Sequence, residues 1–266
     1  MDGESYLARA TRRVFSDGTL WWRAPALAAL QLVPILNWFT TTGYVLMVMR
    51  DAAWGIDRGL PRFSEFKEIL KNGVSGFVVS LVWSLVLVPV VMVALLAVIL
   101  PSVPSIMNGY PAAPVFPWWF GPAIAAPSAF LSIFMYVAWL RTAVYVTSSA
   151  GLSVAGVRDL IRSNSTEFGR VAWLAFAAGL LPSILAVPGA LLVQATNLPA
   201  GAASAISYTS SFVVGVLGVV MSLIAGAAYG TWASSPGPSS WPPLAQEPST
   251  AGSSGPTEAA FFDSES

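Results

Sequence analysis

Val74 to Leu100 reads VSGFVVSLVWSLVLVPVVMVALLAVIL, twenty-seven residues without one Asp, Glu, Lys or Arg. A helix needs about 20 apolar residues to cross a hydrocarbon core of roughly 30 Å. A charge at mid-bilayer costs about 2.5–3.5 kcal/mol on insertion scales, so a long charge-free window is what lipid demands. The rest of the chain follows the same rule. No charged residue occurs from Ala24 to Met49, from Asn72 to Leu140 or from Val171 to Gln246. Charged residues make up 10% of the chain and hydrophobic ones 55%, with a mean hydropathy of +0.68. A typical soluble domain carries about 25% charged residues. The fold class is therefore an all-α integral membrane protein.

Working outward, five hydrophobic helical segments are expected, at about 24–49, 74–100, 122–148, 171–195 and 206–232, within a transmembrane domain of residues 24–233. Pro182 and Pro188 mark kinks in the fourth. Residues 1–23 form a polar, cytoplasm-facing or interfacial N-terminal segment that ends in Trp21-Trp22, a pair suited to the headgroup belt. This segment is long for a signal-peptide n-region, and the apolar run behind it lacks a convincing cleavage site. Aromatics at Phe116 and Trp118 to Phe120 close an uncharged, Pro-rich loop and read as a second interfacial anchor. Two short amphipathic helices are expected at the interface. In 62–71, Phe63, Phe66, Ile69 and Leu70 oppose Arg62, Glu65, Lys67, Glu68 and Lys71. In 152–170, Val154, Val157, Leu160 and Ile161 oppose Arg158, Asp159 and Arg162. Residues 234–266 are rich in Ser, Pro and Gly and acidic, too poor in apolar surface to offset their ordering entropy, and are expected to be disordered. Trp241 and Phe261-Phe262 there could serve as a docking motif, but an inert tail is the plainer reading.

A weak parallel tandem repeat appears when residue i is set against residue i+91. Arg50 falls on Arg141, Lys67 on Arg158, Glu68 on Asp159, Ile69 on Leu160 and Lys71 on Arg162. Parallel repeats occur in several transporter folds, although low-complexity apolar sequence produces such likeness by chance as well.

All 13 basic residues lie in three stretches: 1–23, 50–73 and 141–170. Under the positive-inside rule the latter two face the cytoplasm. If the first segment spans fully, four arginines stand outside. If it is a re-entrant hairpin turning at Pro34 to Asn37, every basic residue is inside. A bend at mid-depth exposes backbone that protein must bury. The hairpin is nevertheless preferred, because four misplaced arginines violate more than one bend does.

The run Gly43-Tyr44, Arg50, Leu60-Pro61 with Phe63 and Glu65 just behind, and Gly73 before a span, resembles a family of bacterial and archaeal membrane proteins known as domain of unknown function number 4013. The resemblance covers about residues 15 to 195, its specific part is confined to 43–73, and the last span and tail lie outside it. It implies an architecture and no chemistry.

Residue types narrow the function. The chain has no Cys and no His, which removes disulfides, thiol nucleophiles and the usual base, zinc ligand and pH switch. No Ser–base pairing, Walker loop or ligand cluster is present, so no catalytic, cofactor-binding or metal residue is assigned and no enzyme activity is expected. Net charge is zero, and nothing points to nucleic acid. The sequon at Asn164 falls on the cytoplasmic side. No acid lies inside a span, so proton relays of the pump type are missing. The sharpest motif is Gly218, Ser222, Gly226 and Gly230 in the fifth segment, a small-residue groove for close helix packing. Gly76, Ser80 and Ser84 form a weaker one. Gln31, Asn37, Thr40, Thr41, Thr42 and Gln194 are the candidate intramembrane polar cluster. Two roles remain open: a non-enzymatic scaffold or accessory subunit with a membrane or cytoplasmic protein partner, and a transporter or permease component. The expected partner in either case is the lipid bilayer, in a bacterial plasma membrane.

Overall fold

The computed structural model describes residues 6–30, 33–56, 59–103, 120–195 and 199–234, and every regular element among them is helical. In chain order these are α1 (Tyr6–Phe15), α2 (Leu20–Leu30), α3 (Pro34–Ala53), α4 (Phe66–Ser84), α5 (Val88–Ile99), α6 (Phe120–Tyr145), α7 (Ser148–Leu152), α8 (Val154–Ser163), α9 (Ser165–Ala195) and α10 (Ala200–Ser234). The acidic tail beyond 234 and the proline-rich loop at 104–119 lie outside the described residues.

Three helical stretches are long and apolar enough to cross a membrane: Phe63–Ile99 with a mean hydropathy of 2.8, Ala123–Tyr145 with 1.8, and Ser204–Ser234 with 2.2. They coincide with the second, third and fifth segments of the sequence. In the first, 3-10 turns at Phe63–Glu65 and Leu85–Leu87 join α4 to its flanks. Pro89, which stands at the start of α5, explains the second turn. A proline ring clashes with the carbonyl four residues earlier and removes one helical hydrogen bond, so the ladder tightens locally.

Here the structure differs from the sequence reading. The amphipathic stretch 62–71 is not a separate interfacial helix; it runs directly into the span as the first turns of α4. Ile69, Gly73, Gly76 and Val79 are its buried positions, one continuous face at helical spacing, so Ile69 of the short stretch packs into the bundle while Phe66 stays exposed. Only 152–170 breaks. There α8 ends at Asn164, whose backbone (φ −139°, ψ 47°) leaves the helical region before α9 begins. The N-terminal polar stretch also holds a helix, α1, whose buried Ala10 and Val14 face the bundle while Arg12 and Arg13 occupy its last turn, where cations favour the helix dipole.

α3 is central. It packs most extensively on α4 and then on α10, while α9 packs on α10 and on α6. Tyr44 to Met49 of α3 and Val219 with Leu223 to Ala233, apart from Thr231, of α10 supply much of the core, and Trp232, Tyr44 and Tyr229 are its largest fully buried side chains. α3 stops in a Schellman motif. Gly55 takes φ 68°, its amide donates to Ala52 O at 3.2 Å, and Ile56 N donates to Asp51 O at 2.8 Å. A left-handed residue suits glycine because no Cβ obstructs it.

Candidate functional site

The polar chemistry collects where α2, α3 and the loop after α3 meet. Asp17 sits in the turn before α2. Its Oδ1 accepts from Thr19 N at 2.8 Å and from the Thr19 hydroxyl at 2.5 Å. Its Oδ2 accepts from Leu60 N at 2.8 Å and lies 3.5 Å from Arg23 Nη1. Gly59, with φ 73°, makes that approach possible, since a Cβ there would stand 3.0 Å from Asp17 Oδ2. Arg23 Nη1 donates to Leu60 O at 2.8 Å, and the Tyr44 hydroxyl donates to the next carbonyl, Pro61 O, at 2.8 Å. Phe63 closes over this cluster, its ring 6.1 Å from Tyr44 and 5.3 Å from Trp22. Arg13 donates to Ile56 O nearby.

Burial alone would raise the Asp17 carboxyl. The hydrogen bonds from the Thr19 side chain, the Leu60 amide and the Thr19 amide, with the Arg23 charge behind them, outweigh it and hold the group below its ordinary value. Arg23 is 8% exposed. A buried guanidinium is tolerated because a carboxylate and a carbonyl share its charge.

A second fastening lies in the other half of the chain. Arg141, near the end of α6, is 4% exposed. Its Nε donates to Ala150 O at 3.0 Å and its Nη1 to Gly156 O at 3.3 Å, and its guanidinium lies 5.3 Å above the Tyr145 ring. Positions 156 and 151 leave room only for glycine as the side chains stand: a Cβ on Gly156 would displace the Arg141 guanidinium from its bonds, and one on Gly151 would strike the Thr142 hydroxyl and the Ala138 carbonyl. Asn164 and Trp232 exchange bonds, Asn164 Nδ2 to Trp232 O at 3.3 Å and Trp232 Nε1 to Asn164 O at 3.2 Å. The end of α10 is thereby tied to the turn between α8 and α9.

The stripe on α10 meets two different neighbours. A Cβ on Gly226 would stand 3.0 Å from Val45 Cγ1 and 3.3 Å from Met49 Cγ, and one on Gly230 would strike Met49 O and crowd Ala52 at 2.6 Å. Ser222 is half-buried, and about two turns further on Tyr229 packs its ring 5.4 Å from Tyr136 of α6. Gly218 is half-buried. On α4, a Cβ at Gly76 would stand 2.5 Å from Thr42 Cγ2, and Ser80 Oγ accepts from Trp139 Nε1 at 2.9 Å.

Of the intramembrane polar cluster, Gln31 and the side chains of Asn37 and Gln194 lie outside the described residues. Thr40 is buried and its hydroxyl donates to Leu36 O, one turn back in its own helix, at 2.6 Å. Thr41 and Thr42 are half-buried, the latter with its methyl toward Gly76. Among the described residues no three His, Cys, Asp or Glu come together as metal ligands would.

Sequence reasoning missed the tightest helix crossing. A Cβ on Gly43 would strike Ile69 O and one on Gly73 would strike Phe39 O, so α3 and α4 touch backbone to backbone. Both glycines belong to the pattern that carries the family resemblance, as do Tyr44 and Pro61. Thirty residues apart on two helices, they show no periodic spacing, and only the shared pattern signals them.

The family model described as protein of unknown function (DUF4013) matches residues 26–194. No curated protein and no solved structure matches the chain.

Proposed function

The chain belongs to the DUF4013 family of proteins of unknown function, and from that premise we propose that it is a multi-pass, non-enzymatic scaffold or accessory subunit of the cell membrane. In this reading five segments enter the bilayer: the α2–α3 unit, α4–α5, α6, α9 and α10. The three basic stretches share the cytoplasmic side. The bonds from Arg13 to Ile56 O and from Arg23 to Leu60 O support placing residues 1–23 beside residues 54–61. Because Arg23 of α2 and Tyr44 of α3 reach consecutive carbonyls, the chain between them goes out and returns, which favours the re-entrant hairpin over a full first span. The turn does not fall at Pro34 to Asn37 as the sequence suggested, because those residues form the first turn of α3, and the Pro34 ring holds the preceding Val33 in extended backbone. A tandem duplication fits as well, with Arg50 3.7 Å from Glu68 in the register where Arg141 and Asp159 stand.

One observation carries the scaffold reading. The two buried arginines and their neighbours fasten chain segments to helices: Asp17, Arg23 and Tyr44 fasten Leu60 and Pro61, and Arg141 fastens Ala150 and Gly156. A transporter would hold such groups free along a route through the spans. Fastened loops present a rigid cytoplasmic face on which the exposed Arg62, Lys67 and Lys71 are displayed.

The test is complementation of a deletion strain. Asn37→Leu with Gln194→Leu should restore wild-type behaviour, since nothing passes between those side chains. Arg62→Ser with Lys67→Ser and Lys71→Ser should fold yet fail to restore it. A folded Asn37→Leu, Gln194→Leu protein that behaves like the deletion would overturn the scaffold in favour of a permease component.

A further inference from the structure

We infer that a groove beside α8 binds one anionic diacyl phospholipid of the bilayer, with an acyl chain between the helices and the phosphate on Arg158 and Arg162. A cavity of about 690 Å³ lies there, within the range of roughly 300–1,000 Å³ usual for ligand sites. Its walls include Val86 and Val90 from the α4–α5 span, Phe130 and Phe134 from α6, and Val157 and Ile161 from α8. Apart from Arg158 and Arg162, which are the charged groups lining it, the wall is apolar.

The groove is a built feature of the fold. α8 is fixed at its start by Ser153, whose Oγ accepts from Gly156 N at 3.1 Å, and by Arg141, which donates to Gly156 O. Residues four apart on a helix lie on one face about a turn apart, and Arg158 and Arg162 both line the groove. Among the described residues Asp159 accepts from Arg158 Nε, at 3.4 Å, and both side chains are more than half exposed. The terminal nitrogens of Arg158 and the whole of Arg162 are left to meet an anion.

The surroundings decide the occupant. Val86 is 63% exposed and Phe130 59%; they sit on helices apolar enough to cross a membrane, so the groove opens toward hydrocarbon. A molecule reaching it from there is a lipid, and two arginines at its polar end select a phosphate without a balancing cation. Basic pockets on the cytoplasmic side of helical bundles hold anionic head groups by this chemistry.

The inference rests on the membrane placement and not on the scaffold role, so its failure leaves the complementation test untouched. Full-length protein is purified in mild detergent, and native mass spectrometry measures retention of phosphatidylglycerol and phosphatidylcholine with identical acyl chains. Wild type should prefer phosphatidylglycerol. Arg158→Gln with Arg162→Gln should lower phosphatidylglycerol binding by roughly tenfold or more, the size expected from two surface arginines, and leave phosphatidylcholine unchanged. Val86→Trp, on a lipid-exposed position, should lower binding of both lipids by filling the groove. Lys67→Gln with Lys71→Gln, at two positions of α4 that do not line the groove, should leave the binding of both lipids at its wild-type level. Equal binding of the two lipids by wild type would overturn the proposal. So would a preference that survives loss of both arginines, an equal loss in the lysine variant, or undiminished binding by Val86→Trp.

Discussion

α3 and the α4–α5 span teach opposite lessons about hydrophobicity. The stretch Phe63–Ile99 is the most apolar of the three that are long and apolar enough to cross a membrane, yet only 11% of its most apolar window is buried inside the protein. α3 carries Asn37, three threonines, Arg50 and Asp51 and is not among the helices apolar enough to cross alone, yet Tyr44 to Met49 are at most 2% exposed. In water the more apolar helix would seek the core. In a bilayer the solvent is itself apolar, so burying a valine against protein gains little over leaving it in lipid, and close packing with small residues decides who sits inside. Gly43, Gly73, Gly226 and Gly230 all crowd α3 or belong to it. The helix with the most glycine-mediated approaches is the core, and the helix with the highest hydropathy is the rim.

Four substitutions would break or sharpen that contrast. The largest effect is expected at the α3–α4 crossing. Gly43→Leu puts a side chain into the Ile69 carbonyl, backbone that cannot rotate away, and should cost about 3 kcal/mol or more. Thermal unfolding in detergent would read it as a protein that no longer purifies folded, and wild-type stability would show that the crossing is not where the bundle is held. Next comes Gly226→Leu on α10. Its neighbours Val45 and Met49 offer side chains that give by a few tenths of an ångström, so the cost should be smaller, about 2 kcal/mol. An unchanged melting curve would turn that stripe toward lipid.

Asp17→Asn should cost about 1 kcal/mol by removing the charge that strengthens its bonds to Leu60 N and Arg23. Its pH dependence is the sharper check. The folded carboxyl lies below its ordinary value of 3.8. Its contribution is therefore complete above that value and is lost as pH falls through the folded pKa. Wild type and Asp17→Asn should differ at neutral pH and converge in acid. A gap that does not narrow at all as pH falls below 3.8 would exclude ionisation as the source. Smallest of all, Val93→Ala on α5, 67% exposed, should change stability by less than about 0.5 kcal/mol, because the lipid refills what the side chain leaves.

Much of the architecture was legible because lipid writes simply: charge-free windows mark helices, and Val74 to Leu100 could be nothing else. The four-residue spacing of Gly226 and Gly230 put both on one face without any coordinates. Packing between segments was less visible. The short stretch 62–71 has the amphipathic pattern of an interfacial helix, but the pattern alone does not say whether its apolar face meets headgroups or α3. Asn164 breaks the second such stretch and nothing comparable breaks the first. α1 was hidden in a polar segment because two small buried residues, Ala10 and Val14, make a weak hydrophobic stripe. The fastening of Leu60 depends on Asp17 and Arg23, some forty residues away, and no local spacing encodes a bond of that reach.

Spin-label accessibility along the two contrasted helices tests the central claim most directly. The chain has no cysteine, so single labels can be placed at Val45, Met49 and Ala52 on α3 and at Val86, Val90 and Val93 on the α4–α5 span without background. In reconstituted bilayers, collision with dissolved oxygen should be high at the second set and low at the first, and collision with a water-soluble nickel chelate should be low at both. High oxygen access at Val45 and Ala52 with protection at Val86 and Val93 would contradict the account, since the more apolar helix would then be the core.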